Sequence, residues 1–218
     1  TTTVALAASL EAERCEIFSD VEGIYTTDPS LVPEARKLSY ISYDEMLELA
    51  NLGAEVLHPR AVELAKTYNL KLYIASSFNY KPGTIVEGVD YMEKKRNVTG
   101  VTSDKNEVKI TVQKVPDKPG VAGELFTRLA EHNINVDMII QNLQYNNLND
   151  ITFTVNKKDL KTGEKVIREI AEELGSERVE IANDVAKVSI VGAGMISTPG
   201  IAARMFRSLG EANINIQM

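Results

Sequence analysis

Apolar and polar residues alternate with two different periods along the chain, and these periods follow one another in a fixed order. Residues 108–115 (VKITVQKV) alternate largely between apolar and polar side chains, which is the period of a half-buried strand. After Pro119, apolar residues recur at helical spacing as far as Glu131. The same order returns from Lys187 to the end of the chain. The pattern therefore predicts a strand, a Pro-Gly turn and an amphipathic helix, written twice.

The two copies align without a gap from Pro119 and Pro199 onward, 80 residues apart. The aligned pairs are Gly120/Gly200, Ala122/Ala202, Phe126/Phe206, Leu129/Leu209, Glu131/Glu211, Asn133/Asn213, Asn135/Asn215 and Met138/Met218. A repeat of this length indicates a duplicated module, so that a site in one copy has a counterpart in the other. The second copy stops at Met218, at the start of its second predicted strand, and the chain is therefore expected to be a fragment.

The order of the predicted elements changes near the middle of the chain. Helices and strands alternate before it and predict an α/β sheet, with Ser42 and Glu45 forming a capping box at the start of helix 42–51. A short charged stretch at 91–97 is the predicted domain boundary. The elements that follow 108–115 are helix 120–131, strands 135–144 and 150–155, helix 160–174 and strand 178–181. This β-α-β-β-α-β order is that of a ferredoxin-like unit. A second unit begins at Val185, and its sheet has an unpaired edge unless the predicted strand 98–102 pairs with it.

Composition narrows the functional classes. The 218 residues, 44% hydrophobic and 25% charged, are typical of one or two globular domains. A net charge of −7 without a Lys/Arg-dense block argues against nucleic acid as a partner. No apolar run reaches the roughly 20 residues that span a bilayer, and no signal peptide opens the chain, so no membrane partner is expected. The single cysteine, Cys15, fits a reducing compartment and a cytoplasmic location.

The Pro119-Gly120 turn is the first candidate site. A helix that starts there presents unpaired N–H groups and a partial positive charge, which suit a carboxylate. Asp117 is placed to meet an ammonium, so that one turn can hold both ends of a free amino acid, while Gln141 and Asn142 can hydrogen-bond from the next strand. The alternative, which helix chemistry alone favours, is that the turn only starts a helix.

The second candidate is the loop 19–29 (SDVEGIYTTDP), which follows an apolar strand directly. Ligands gather at the carboxyl ends of strands in open α/β sheets. Ser19 and Asp20 offer acceptors, Tyr25 a flat ring, and Asp28-Pro29 a rigid turn, so a nucleotide can lie here. The alternative is an ordinary connecting loop. The sequence contains no GxxxxGK[ST] or GxGxxG motif and no metal-ligand cluster, so no metal site is predicted.

Several independent segments together resemble the aspartate kinase (aspartokinase) family over essentially the whole chain. They are TTTVALAASL, SDVEGIYTTDP, ISYDEMLELANLGAEVLHPRAVELA, GTIV, NVTGVTSDKNEVKITV, DKPGVAGELF, NINVDMIIQN, DITFTV and KVSIVGAGMISTPGIAARMF. The resemblance implies an α/β chain: the C-terminal part of an amino-acid kinase fold over 1–96, a ferredoxin-like ACT domain over 97–183, and the first half of a second ACT domain over 184–218. It implies phosphoryl transfer from ATP, with Mg²⁺, to the β-carboxylate of L-aspartate. It also implies lysine and/or threonine as feedback effectors, and a homo-oligomer formed through the ACT domains.

The resemblance also assigns residues to sites. The ATP-binding residues are Ser19, Asp20, Tyr25, Asp28 and Pro29. The effector-binding residues are Asp117, Lys118, Pro119, Gly120, Val121, Ala122, Asn135, Asp137, Gln141 and Asn142. The effector or pairing residues of the second ACT domain are Met195, Ser197, Thr198, Pro199, Gly200, Ile201, Ala202 and Asn215. Two positions depart from the family pattern: Ser30 stands where many members have arginine, and Glu55 where many have lysine.

The family's Lys-Phe-Gly-Gly and Gly-Arg-Gly-Gly-Ser-Asp segments do not occur in the 218 residues. We therefore expect no retained catalytic residue and no kinase activity from this polypeptide alone, although we expect it to bind an effector. One alternative is a stand-alone regulatory subunit, against which the 97 residues before Val98 argue. Another is a different ACT-bearing enzyme, such as a homoserine dehydrogenase fusion. The sequence does not decide between lysine, threonine and another end product.

Overall fold

A computed structural model describes residues 1–88, 97–143, 147–195 and 197–218. The chain divides into two compact units, which we call unit 1 (Thr1–Ser103 with Val188–Met218) and unit 2 (Asp104–Lys187). The charged stretch that predicted a domain boundary lies outside the described residues, except for Asn97. Among the described residues, no helix combines the length and the apolar character needed to cross a membrane.

Residues 1–88 of unit 1 form a four-stranded mixed sheet with three α-helices. The strands are β1 (Arg14–Ser19), β2 (Tyr40–Ser42), β3 (Lys71–Ser76) and β4 (Thr84–Glu87), in the order β1-β3-β4-β2. β1 pairs with β3 and β2 with β4 in parallel, whereas β3 and β4 are antiparallel. The helices are α1 (Thr2–Ser9), α2 (Tyr43–Asn51) and α3 (Pro59–Thr67). β5 (Gly100–Asp104) follows and lies outside this sheet.

The predicted capping box starts α2. The Ser42 hydroxyl accepts from the Glu45 N–H at 3.2 Å, and the Glu45 carboxylate accepts from the Ser42 N–H at 3.4 Å. Behind this start, Met46 and Leu49 lie buried in the core of unit 1. The prediction of this helix start from two residues is therefore confirmed.

Unit 2 has the predicted β-α-β-β-α-β order. Its elements are β6 (Glu107–Pro116), α4 (Val121–Glu131), β7 (Val136–Leu143), β8 (Leu148–Asn156), α5 (Lys157–Glu173) and β9 (Arg178–Ala182). All neighbours in the sheet order β7-β8-β6-β9 are antiparallel, which is the ferredoxin-like arrangement and confirms the predicted fold class. The core between sheet and helices is apolar, and Phe153 at its centre is fully buried beside Leu125 and Ile167.

The internal repeat is visible in the backbone. The helix α4 starts after Gly120, whose φ is 95°, and α6 (Ile201–Glu211) starts after Gly200, whose φ is 91°. A Cβ added at either glycine would meet nothing within 4 Å, so the left-handed backbone, and not lack of space, is what favours glycine there. Asn133 and Asn213 are also left-handed, with φ of 57° and 56°. These two asparagines therefore shape the same turn in both copies.

The second copy begins with β10 (Lys187–Val191), which pairs with β5 in a two-stranded sheet. At its far end, the Thr99 N–H donates to the Val191 carbonyl at 2.7 Å. Val191 belongs to the buried core of unit 1. The predicted strand 98–102 was the possible partner for the open edge of the second unit. In the structure, the strand that pairs with β10 is β5, residues 100–104, two positions further along the chain.

Candidate functional site

A cavity of about 410 Å³ lies in unit 2 beside the turn that precedes α4. It is lined by Val115, Pro116, Asp117, Lys118, Pro119, Gly120, Val121, Ala122, Gln141, Asn149 and Ile151. Seven of the predicted effector residues, Asp117 to Ala122 and Gln141, therefore lie around one cavity. Val115, Pro116, Asn149 and Ile151 complete its wall and were not predicted from the sequence.

Asp117 supplies the negative end of this cavity, and two hydrogen bonds hold it. Its backbone N–H donates to the carbonyl of Asn147 at 2.8 Å. Its Oδ1 accepts from the side-chain amide Nδ2 of Asn149 at 2.7 Å. Among the described residues, Asp117 has no ion-pair partner. Its carboxylate is therefore available to a cationic group in the cavity.

The start of α4 supplies the positive end. Gly120 is the N-terminal cap, and no side chain caps the helix. The Val121 N–H makes only a long contact, 3.4 Å, with the Lys118 carbonyl. Unpaired N–H groups and the helix dipole together favour an anion at this point. The cavity thus places a carboxylate and a helix N-terminus on one turn, which complements the ammonium and carboxylate of a free amino acid.

The other three predicted effector residues lie away from the cavity. Asn135 is exposed just before β7, and Asn142 is exposed within that strand. The Asp137 carboxylate pairs with the ammonium of Lys187, which also lies 3.8 Å from Glu107. The Lys187 side chain is only 11% exposed, and its ammonium neutralises the charge of Asp137 within unit 2.

The second copy offers no charge at the matching place. Ser197, the counterpart of Asp117, donates its hydroxyl to the Gly194 carbonyl at 3.3 Å, and the Thr198 hydroxyl donates to the Asn97 side-chain oxygen at 3.0 Å. The remaining predicted residues are Met195, which ends a short 3₁₀ helix, Pro199 and Gly200 in the turn, Ile201 and Ala202 in the first turn of α6, and Asn215, which is exposed. Ile196 lies outside the described residues.

In unit 1, the predicted nucleotide loop leaves the sheet where two parallel strands end together. Ser19 at the end of β1 is in register with Ser76 at the end of β3, and the Ser77 N–H donates to the Ser19 carbonyl at 2.7 Å. Asp20 is exposed next to them. The carboxyl ends of parallel strands are the usual ligand position in such sheets. The loop therefore lies where a nucleotide is expected.

Glu22 connects this loop to the segment after β3. Its carboxylate accepts from Lys81 Nζ at 2.9 Å, from Asn79 Nδ2 at 3.0 Å and from the Tyr25 hydroxyl at 3.3 Å. The hydrogen bond from the Lys81 ammonium holds the pKa of the Glu22 carboxyl below its usual value. Partial burial, together with the negative charge of Glu22, raises the pKa of Tyr25. The network fixes the ring of Tyr25. The bond from Tyr25 to Glu22 lies within the loop 19–29, whereas no local pattern in the sequence pointed to Asn79 or Lys81, because their contacts with Glu22 join distant loops.

Asp28 shapes a turn at the end of the predicted nucleotide loop. Its Oδ1 accepts from the Ser30 N–H at 2.8 Å and from the Ser30 hydroxyl at 2.7 Å. These bonds lower the pKa of the Asp28 carboxyl. Pro29 lies exposed between the two residues, and Glu55 is exposed elsewhere in unit 1. Ser30, which departs from the family pattern, thus has a local structural role.

Family models match three stretches of the chain. Residues 1–76 match the amino acid kinase family, and residues 109–175 and 188–218 each match an ACT domain. The aspartokinase of Thermus thermophilus is 48% identical over 220 residues, covering 100% of this chain and 54% of the relative. The chain spans about half the length of the curated relatives it matches.

Solved structures of aspartate kinases are also similar to this chain. E. coli aspartokinase III in complex with aspartate and ADP has a TM-score of 0.81 at 29% identity, covering 100% of this chain and 48% of that one. The same enzyme with lysine and aspartate has a TM-score of 0.66 at 30% identity, covering 88% and 42%. The ligand-free regulatory subunit of aspartate kinase from Thermus thermophilus has a TM-score of 0.53 at 37% identity, covering 56% and 81%.

Proposed function

Because the chain belongs to the aspartate kinase family, we propose that it carries the nucleotide side of an aspartate kinase together with an amino-acid sensor. The whole enzyme would transfer the γ-phosphoryl group of ATP to the β-carboxylate of L-aspartate. Residues 1–96 would belong to the catalytic domain, 97–183 to the first ACT domain and 184–218 to the second. The bound aspartate and ADP of the E. coli neighbour support this choice of substrates.

The observation that carries the sensing role is the cavity of unit 2. An α-amino acid has an ammonium and a carboxylate two bonds apart, and the Asp117 carboxylate and the N-terminus of α4 lie on one short turn that can receive both. Val115, Val121 and Ile151 add apolar surface for the ligand's side chain. Lysine, which the E. coli neighbour binds together with aspartate, and threonine are the proposed effectors.

Feedback inhibition requires the effector to bind one arrangement of the enzyme more tightly than another. We propose that this difference arises where ACT domains pair in a homo-oligomer. β7 is an edge strand of unit 2, and Met138 and Ile139 on it are 37% and 52% exposed. An exposed edge with apolar side chains is a surface on which another strand can pair.

The nucleotide site of the proposal is the loop after β1. Ser19 and Asp20 lie at the strand end, and Glu22 fixes the ring of Tyr25 beside them. Mg²⁺ would enter with ATP, since it is usually bound by the substrate phosphates together with one or two carboxylates. ATP bound here would be oriented by these side chains and by the backbone at the ends of β1 and β3.

A polypeptide of these 218 residues should show no transfer of phosphate from ATP to aspartate. The two family segments that support phosphoryl transfer and bind aspartate do not occur in it, and phosphoryl transfer depends mainly on positioning and charge neutralisation. A coupled assay of aspartate-dependent ADP release measures this directly. Turnover that disappears in the Asp20→Ala variant would show that the chain is catalytic by itself.

A titration of the same chain with L-lysine, L-threonine, L-methionine and L-aspartate tests the sensor. One pathway end product should raise the midpoint of thermal unfolding in a saturable way, since a ligand that binds only the folded state adds about 2.7 kcal/mol at 100 times its Kd. Glycine, which has the same charged groups but no side chain, should give a smaller shift at equal concentration. The absence of a shift with all four amino acids would contradict the proposed sensing role.

A stand-alone regulatory subunit without catalysis is the second candidate. The match to 81% of the Thermus thermophilus regulatory subunit favours it. Residues 1–76, which match the amino acid kinase family, favour the kinase instead, because a sensor has no need of a nucleotide-binding sheet. Binding of ADP to the chain, measured by calorimetry and lost in Asp20→Ala, would decide for the kinase.

A further inference from the structure

Asn149 is the most buried polar side chain around the cavity of unit 2. It is not among the effector-binding residues that the family resemblance implies. It lies in β8 with 4% of its surface exposed, opposite Val115 of β6 and Leu143 of β7. Its Nδ2 donates to Asp117 Oδ1 at 2.7 Å. Its Oδ1 is buried and has no hydrogen-bond partner among the described residues.

The chemistry of the pair fixes how the amide is turned. A carboxylate can only accept hydrogen bonds, so the nitrogen of the Asn149 amide must face Asp117 and the oxygen must face away. In that orientation, the buried oxygen stays without a partner. Turning the amide over would bring two acceptors, the amide oxygen and Asp117 Oδ1, into contact. The hydrogen bond to Asp117 is thus made although it leaves a buried acceptor unpaired.

An unpaired buried acceptor lowers the stability of a fold, whereas an apolar side chain of similar volume would avoid that loss. Positions that oppose local stability in this way are typical of functional sites. Asp117 itself is exposed on a turn, and without a partner its carboxylate would rotate freely. The contact from Asn149 restricts that rotation before any ligand arrives, which is the usual advantage of preorganised binding sites.

We propose that Asn149 is a positioning residue of this cavity, which holds one oxygen of Asp117 so that the other accepts from the ammonium of a free α-amino acid. The inference rests on the proposed sensing function and adds to it the residue that orients the ammonium-binding carboxylate. Because Asn149 acts through Asp117, the two side chains form one functional pair.

Asn149→Leu tests this role, since leucine keeps the approximate volume and removes the donor. We expect the affinity for whichever of the four amino acids stabilises the unmodified chain to fall about 2- to 12-fold, the factor that corresponds to immobilising one side chain. The unfolding midpoint of the ligand-free variant should stay unchanged or rise, because the unpaired acceptor is gone. In an Asp117→Ala background, Asn149→Leu should cause no additional loss of affinity.

The pair Asn149→Thr and Asn149→Val provides a second comparison if the leucine variant folds poorly. The two side chains have the same shape and differ by one hydroxyl donor, so the threonine variant should bind the amino acid more tightly. Equal affinities for these variants, or unchanged affinity in Asn149→Leu, would overturn the positioning role while leaving the sensing function intact. A full additional loss in the Asp117→Ala background would also overturn it. If the unmodified chain binds none of the four amino acids, the positioning role falls together with the proposed sensor.

Discussion

Replacing Phe153 by alanine should lower the free energy of unfolding of unit 2 by about 3–5 kcal/mol. Phe153 is fully buried in β8, and its ring packs edge to face on Phe126 with the ring centroids 5.6 Å apart. The variant loses the transfer free energy of the ring and leaves a cavity between sheet and helices. Because domains are stable by only about 5–15 kcal/mol, the loss is a large part of the total.

Hydrogen exchange followed by mass spectrometry measures this change in the peptides of unit 2, which should lose protection. Phe78→Ala is the matched control, because Phe78 is 81% exposed in unit 1 and the chemical change is identical. That variant should alter stability by no more than about 0.5 kcal/mol. Equal loss of protection in both variants, or none in Phe153→Ala, would contradict the central position of Phe153.

Replacing Asp117 by alanine should weaken binding of the effector about 10- to 150-fold, which corresponds to about 1.5–3 kcal/mol for one charge-assisted hydrogen bond. Asp117 lines the cavity beside the start of α4. Only one of its carboxylate oxygens accepts from Asn149, so the other can accept from an ammonium. The ligand-free protein should lose about 1–3 kcal/mol of stability, because the substitution leaves the buried Nδ2 of Asn149 without its acceptor. Isothermal calorimetry with the amino acid that stabilises the chain measures the loss.

Asp184→Ala is the control for this variant, because it removes the same charge from an exposed loop residue that does not line the cavity. Its affinity for the amino acid should match that of the unmodified chain. If both aspartate variants lose affinity equally, the effect comes from net charge. If neither does, the ammonium is bound elsewhere.

Much of the fold follows from local patterns. The alternation in β6, the helical spacing after Pro119 and the Ser42–Glu45 pair each correspond to an observed element, because strand and helix periods are properties of short segments. β2 was missed, since its three residues, Tyr40–Ser42, are too few to show a period. The two left-handed glycines that start α4 and α6 were marked by the Pro-Gly pairs.

The sites were predictable only in part, and the reason differs between them. Asn149 was missed because the predicted strand began at Asp150, two residues after the observed start of β8 at Leu148, so that Asn149 fell in a predicted turn. The bond between Glu22 and Lys81 joins loops that are far apart in sequence, and no local period records it. The bonds between Ser30 and Asp28, in contrast, follow the known preference of aspartate for turns, and the sequence could have indicated them.

The stability of the β5–β10 strand pair depends on whether unit 2 is folded. Residues 105–186, which make up almost all of unit 2, lie between these strands in sequence, and Glu107 and Lys187, near the two ends of unit 2, are 3.8 Å apart. If unit 2 were unfolded, the β5–β10 pair would have to close a loop on the order of 80 residues, at an entropic cost of about 4 kcal/mol. A folded unit 2 brings its own ends together and removes that cost. An amino acid that stabilises unit 2 would therefore also stabilise a strand pair that it does not touch, through chain entropy alone.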